Sequence, residues 1–296
     1  MSESDWRDLT PQQLDWAYDQ TQHAPNMAEV LTRCTERSAE ARAQVKAQGT
    51  QIHRMAYGPT AVEALDWYPS QTQNATPNAP LVFFIHGGAW RRGQAQDHAM
   101  GVAWLLKRGA QVVVPDFAAV TEVSGRLLTL SEQVQRALSF TAKQAAAMGA
   151  NPDRIYVVGH SSGAHLAACL ATHNWAQEGF SKTPIRALLC CSGMYELEPV
   201  SQSARSQYVA FTPQTLQALS PQRHLGAFTM PVVLLCGDQE SPEFKRQARE
   251  FAQALTDQCT DLSLHWGVGL NHFEMLETFA QPDSVMSQAL QNLMQR

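Results

Sequence analysis

The stretch Arg154-Ile155-Tyr156-Val157-Val158-Gly159-His160-Ser161-Ser162-Gly163-Ala164-His165-Leu166 decides how the rest of the chain is read. Ile155 to Val158 is an apolar run of strand length, and Leu166-Ala167-Ala168-Cys169-Leu170 continues beyond the turn as a helix. Between them lies Gly-x-Ser-x-Gly, made by Gly159, Ser161 and Gly163. A serine at the tip of a strand-to-helix turn takes a strained backbone conformation. Its neighbours two places away on each side then come so close that a Cβ would clash. The turn lifts the hydroxyl clear of the sheet, and the helix starting there aims free N–H groups at the reacting carbonyl. The pattern predicts a nucleophilic Ser161.

Working outward, strands and helices alternate. Leu81-Val82-Phe83-Phe84-Ile85-His86 is apolar without alternation, as expected of a strand covered on both faces, and Gly87-Gly88 ends it. Residues 100–108 read as a short helix and 111–117 as a strand. Residues 130–148 read as a long helix with Val134, Leu138, Ala142 and Ala145 on one face. Further strands are expected over 185–191, 231–236 and 262–266. Further helices are expected over 243–255, after Asn271-His272, and over 285–294. This rhythm implies right-handed crossovers and an α/β fold, a mostly parallel central sheet with helices on both faces. In such sheets ligands lie beyond the carboxyl ends of the strands.

Two regions depart from the rhythm. Residues 1–55 read as polar helical pieces, one with Leu9, Leu14, Trp16 and Tyr18, the other from Met27 to Lys46. Residues 194–225 hold Pro199, Pro213 and Pro221 and read as an insertion over the mouth of the sheet. Residues 52–68 read as one or two strands and 70–80 as a loop. The expectation is one domain over 1–296, with 1–55 as an N-terminal helical cap segment and 194–225 as a cap insertion.

Composition excludes several classes. The chain has 296 residues, 44% of them hydrophobic and 17% charged, enough for a large globular core. A net charge of −5 and the lack of any basic run argue against nucleic-acid and anionic-membrane partners. Met1-Ser2-Glu3-Ser4-Asp5-Trp6 is acidic and polar, unlike a secretory signal, and the longest apolar runs fall far short of a membrane span. The six cysteines form no Cys-x-x-Cys pair, which points to a reducing cytoplasm and away from a zinc or redox site. No His-Glu-x-x-His, Gly-x-x-x-x-Gly-Lys or Gly-x-Gly-x-x-Gly is present, so neither a metal nor a cofactor is expected. A homodimer stays open.

Acyl transfer from a serine needs a base, an acid that orients the base, and donors for the oxyanion. His272 is the best base, because it lies in a Gly-containing loop between the last strand and a helix. For the acid, the strand ending at Cys236 runs into Gly237-Asp238-Gln239-Glu240, which offers Glu240 first and Asp238 as the alternative. Gly87, Gly88 and Ala89 can turn N–H groups inward without a Cβ in the way, and Ser162 adds the N–H that follows the nucleophile. Each such donor contributes roughly 3–4 kcal/mol to the transition state. Trp90, Tyr18 and Tyr208 are candidate substrate contacts, with ordinary packing as the alternative reading of each.

These residues resemble the α/β-hydrolase superfamily, and within it the serine-dependent kynurenine formamidase (arylformamidase) and carboxylesterase branch. The resemblance rests on His86-Gly87-Gly88-Ala89-Trp90, on Gly159 to Leu166, on Ser241-Pro242-Glu243-Phe244 and on His272-Phe273. The segment Cys191-Ser192-Gly193-Met194-Tyr195-Glu196-Leu197-Glu198-Pro199 is also similar. One departure is Glu240, where that branch usually has aspartate. The resemblance implies a small acyl group, formyl or acetyl, carried by an aryl formamide such as N-formylkynurenine or by an aryl ester. The rival expectations are a general short-chain carboxylesterase and, further off, a catalytically inactive hydrolase fold used for binding.

Overall fold

Residues 5–70, 78–259 and 261–296 are described in a computed structural model. Met1 to Ser4 and most of the loop expected at 70–80 lie outside the described residues. The apolar runs become eight strands: β1 (His53–Ala56), β2 (Ala64–Tyr68), β3 (Leu81–Ile85), β4 (Gln111–Pro115), β5 (Ile155–His160), β6 (Ile185–Cys191), β7 (Val232–Gly237) and β8 (Leu262–Gly267). They form one sheet in the order β1-β2-β4-β3-β5-β6-β7-β8. β1 and β2 pair antiparallel, β2 pairs antiparallel with β4, and every later pairing is parallel. The strand that leads into Ser161 therefore sits in the middle of the parallel part.

Among the described residues, ten α-helices flank the sheet: α1 (Pro11–Tyr18), α2 (Met27–Ala47), α3 (Val102–Lys107), α4 (Leu127–Gln144), α5 (Ser162–Thr172), α6 (Leu197–Ser201), α7 (Pro213–Ala218), α8 (Pro242–Leu255), α9 (His272–Glu277) and α10 (Val285–Gln295). Strand side chains alternate between two cores, as the two-residue period of a strand requires. Leu81, Phe83, Ile85, Ile155 and Val157 join one core with α4, α5 and α8. Val82, Phe84, Tyr156 and Val158 join the other with α2, α3 and α10. Burial on both faces explains why β3 and β5 show no polar alternation. β8 is an edge strand with most side chains only partly buried.

Element types follow the sequence expectation, but several ends shift. The long helix begins at Leu127, where Leu127 and Leu130 extend the buried stripe toward the N-terminus. It stops at Gln144, because Gly149 takes a φ of 73° and the chain turns back, with Ala150 N–H donating to Ala145 O at 2.8 Å. Residues 52–68 form two strands joined by a turn. α1 starts on a reciprocal cap, with Gln13 N–H donating to Thr10 Oγ1 and Thr10 N–H to Gln13 Oε1.

The crossing of α5 over β3 leaves no spare volume. A Cβ on Gly163 would lie 2.2 Å from Ile85 O and 2.5 Å from His86 O, both backbone atoms that cannot swing aside. Gly163→Ala is expected to destabilise the protein by about 1–3 kcal/mol. Gly226→Ala, where a Cβ meets nothing within 4 Å, should stay within about 0.5 kcal/mol of wild type. Equal urea midpoints for the two variants would remove the packing argument.

Candidate active site

Ser161 stands between β5 and α5 with φ 57° and ψ −125°. A non-glycine residue pays for that conformation, by roughly 1–3 kcal/mol, and keeps it only where its surroundings enforce it. Here Ser161 N–H donates to Cys191 O at 2.8 Å, and a Cβ on Gly159 would come within 2.3 Å of Gly163 O. The strain presents Ser161 Oγ to His272 Nε2 at 2.8 Å.

His272 opens α9, and its position is set by the residue before it. Asn271 caps the helix, with Oδ1 accepting from the N–H groups of Phe273 and Glu274 at 3.0 and 3.1 Å. Its Nδ2 donates across to Asn26 Oδ1 at 2.8 Å, tying α9 to the start of α2. His272 Nδ1 lies 2.7 Å from Glu240 Oε2. An ionised carboxylate only accepts, so Nδ1 carries the proton and Nε2 keeps a lone pair for the Ser161 hydroxyl. His160 supports the same loop by donating from Nε2 to His272 O at 2.9 Å. Burial pushes the His160 pKa down to about 3, and the neighbouring His272 adds to that, so His160 stays neutral.

Glu240 is fully enclosed and carries four hydrogen bonds. Oε2 accepts from His272 Nδ1 and from Gln20 Nε2 at 3.1 Å. Oε1 accepts from Ser192 Oγ at 2.6 Å and Gly237 N–H at 2.8 Å. Burial alone would raise its pKa. The attraction of His272 and the hydrogen bonds from His272, Ser192 and Gly237 outweigh burial, and the value falls below the ordinary 4.5. Asp238 takes no part in this group, since its Oδ1 faces Gly269 N–H at 2.8 Å. Gln20 and Ser192 were not singled out by sequence. Gln20 lies 220 positions from Glu240, in a polar segment with no motif. Ser192 had a usable signal: it follows β6 directly, at a strand end beside the site, and has a φ of 58°.

The Gly87-Gly88-Ala89-Trp90 loop folds back beside Ser162. Gly88 and Ala89 have φ values of 120° and 55°. A Cβ on Gly88 would lie 2.0 Å from Arg92 O, so only glycine fits there. Among the described residues, the N–H groups of Gly88, Ala89 and Ser162 donate to no protein acceptor. The loop is pinned by Trp90 N–H donating to Ser162 Oγ at 3.2 Å. Of the two roles open to the Trp90 side chain, walling the substrate space or packing, the structure shows packing. With φ 60° it turns into the core, 1% exposed, edge-on to the His165 ring at 5.2 Å.

Ser161, His272, Gly87, Gly88 and Ala89 border a cavity of about 740 Å³. Tyr18 and Tyr208 line it as well, from the N-terminal segment and from the 194–225 region. The Tyr18 hydroxyl is held by Gln247 Nε2, and the Tyr208 ring lies under the Arg91 guanidinium at 4.1 Å. Among the described residues, no group of three or more His, Cys, Asp or Glu side chains could hold a metal ion, and no helix is long and apolar enough to cross a membrane.

An eight-stranded, mostly parallel sheet with a strained serine at the end of its central strand defines a serine hydrolase of the α/β-hydrolase fold. The family model described as BD-FAE matches residues 65–255, and the chain belongs to that family. Along nearly the whole chain it is similar to the kynurenine formamidase of Danio rerio, 25% identical over 97% of each sequence. The kynurenine formamidase of Salmo salar is 24% identical over 98% of this chain and 99% of the relative. The fold matches the crystal structure of a Silicibacter sp. TM1040 protein with a provisional thioesterase designation, with a TM-score of 0.79 and 21% identity. That match covers 94% of this chain and 98% of the other.

Two predictions follow from the carboxylates. Glu240→Gln should lower kcat on the order of 10³–10⁴-fold by removing the acceptor that fixes the His272 tautomer. Asp238→Asn should change it less than about threefold; steady-state kinetics in which Asp238→Asn is the worse variant would move the acid to Asp238. Because the folded Glu240 pKa is depressed, its contribution to stability is fully present above 4.5 and is lost as pH falls through the lower folded value. The gap in unfolding midpoint between wild type and Glu240→Gln should therefore shrink on acidification below pH 4.5, as denaturant titrations would read.

Proposed function

We propose that this chain removes a small acyl group, formyl or acetyl, from aryl formamides such as N-formylkynurenine and from aryl esters. The observation that carries the reading is the line Ser161 Oγ, His272, Glu240, with spacings of 2.8 and 2.7 Å, opening on a cavity of about 740 Å³. Full-length similarity to kynurenine formamidases supports the formamide side of it.

In this reading Ser161 Oγ attacks the carbonyl carbon while its proton passes to His272 Nε2. The N–H groups of Gly88, Ala89 and Ser162, with Gly87 shaping the loop, hold the oxyanion. Glu240 stabilises the imidazolium without taking its proton. As the tetrahedral intermediate collapses, the carbonyl–nitrogen or carbonyl–oxygen bond breaks, and His272 returns the proton to the leaving amine or alcohol. Water then attacks the acyl-Ser161 ester with the same base, releasing formate or acetate. The N-terminal segment and residues 194–225 act as a partial cap over the cavity. Six unpaired, buried cysteines support a reducing, cytoplasmic setting.

The deciding measurement compares kcat/KM for N-formylkynurenine and 4-nitrophenyl acetate. A formamidase should turn over the formamide at least as efficiently as the ester, and a formamide value far below the ester value leaves a carboxylesterase. Ser161→Ala and His272→Ala should each remove nearly all activity on both substrates.

A further inference from the structure

Arg205 lines the cavity with a guanidinium that is only partly satisfied by the protein. Its Nη1 donates to Tyr18 O at 3.1 Å. Its Nε is shielded from solvent, and among the described residues neither Nε nor Nη2 has a hydrogen-bond partner. Nε and Nη2 form one side of the guanidinium, the side that grips a carboxylate with two parallel hydrogen bonds. Elsewhere in this chain that same edge is filled. Arg33 holds Glu277 at 2.8 and 2.9 Å, Arg223 holds Glu196 at 2.8 and 2.7 Å, and Arg246 holds Glu243 at 2.7 and 2.6 Å. At Arg205 no described carboxylate comes within 4.0 Å. The nearby cavity carboxylates have other hydrogen-bond partners; burial would raise the Asp19 pKa, but its bonds from Thr21 and Gln22 and the Arg205 charge bring it below the ordinary value. Asp15 accepts from Ala204 N–H, and Asp19 accepts from Thr21 N–H at 3.0 Å and Thr21 Oγ1 at 2.7 Å.

The position of this cation relates it to the reacting atoms. Its guanidinium carbon lies 5.7 Å from the Tyr18 ring and 5.8 Å from the Phe244 ring. The Phe244 ring in turn stands edge-on to His272 at 5.0 Å. Arg205 is thus separated from the base by a single aromatic ring. A formyl or acetyl group fills only a small part of 740 Å³, so the remainder accommodates the leaving group. We infer that Arg205 is a specificity-determining residue that binds a carboxylate carried by the leaving group, so that the preferred substrates are anionic aryl formamides and aryl esters. This rests on the acyl-transfer reading above and deepens it.

The test uses 3- and 4-acetoxybenzoate beside the corresponding neutral acetoxybenzamides, with wild type, Arg205→Gln and Arg205→Lys. Wild type should favour an anionic ester over its amide. Arg205→Gln should reduce that preference ratio at least tenfold, chiefly through KM of the anion. Arg205→Lys, which keeps the charge without the fork, should fall between. An unchanged ratio in Arg205→Gln overturns the inference, and so does a parallel loss on both esters, the result expected if Arg205 only holds the Tyr18 backbone. Hydrolysis of neither ester overturns the acyl-transfer reading and the inference with it. An Arg205-dependent ester preference without formamide turnover leaves the inference standing and removes only the formamide assignment.

Discussion

The backbone at Ser161 has nowhere to relax, and most of the site is built on that fact. Gly163 sits against Ile85 O with no room for a methyl group, and Gly159 sits against Gly163 O in the same way. β5 lies between β3 and β6, so neither neighbour can yield without breaking a parallel ladder. The strain of one residue is small beside the burial, on both faces, of the four to six apolar side chains that β3, β5 and β6 each carry. The same turn sets up both flanks of the site. Ser162 Oγ receives Trp90 N–H and fixes the glycine loop, and His160 donates to His272 O and fixes the loop of the proposed base.

A second constraint is the removal of Glu240 from water. Burying a lone carboxylate is costly, and this one remains a charged acceptor because four donors converge on its two oxygens. Each donor comes from a different part of the chain: α9, the N-terminal segment, the end of β6 and the end of β7. The hydrogen bond from Gln20 makes residues near the start of the chain part of the electrostatics at the Ser161 end. A Gln20 oxygen also accepts from Ser241 N–H at 3.1 Å, so the same side chain seats the start of α8. The longer arm of glutamate fits this arrangement, since Oε1 folds back to Gly237 N–H while Oε2 reaches His272.

What the sequence made legible divides along physical lines. Local patterns carried the Gly-x-Ser-x-Gly turn, the buried strands and the glycine loop, because each depends on residues a few positions apart. The choice between Glu240 and Asp238 was left open, since both lie in one turn after β7 and only the direction of their side chains separates them. The shielding of Glu240 was not legible at all. Gln20 and Ser192 are ordinary polar residues whose meaning arises when distant segments meet. Trp90 was left open between substrate contact and packing for a related reason. Its place beside the glycines suggests the substrate space, but a left-handed φ of 60° turns the ring away into the core.

The reach of the two kinds of similarity separates chemistry from selectivity. The BD-FAE match over residues 65–255 takes in Ser161, the glycine loop and Glu240. It stops short of His272 and omits the N-terminal wall bearing Tyr18, Asp19 and Gln20. The similarity to kynurenine formamidases runs over 97% of the chain and includes that wall. Among the described residues, the wall supplies no hydrogen bond to Ser161 or His272. It supplies one to Glu240, and with residues 203–208 it closes one side of the cavity. Sheet ends hold atoms to within tenths of an ångström, because ladders and close-packed glycines leave them no freedom. Wall segments joined by loops can change the size and charge of the cavity while the proton path from Ser161 to Glu240 stays intact. A cavity wall that also bonds the buried carboxylate is the one place where those two demands are coupled.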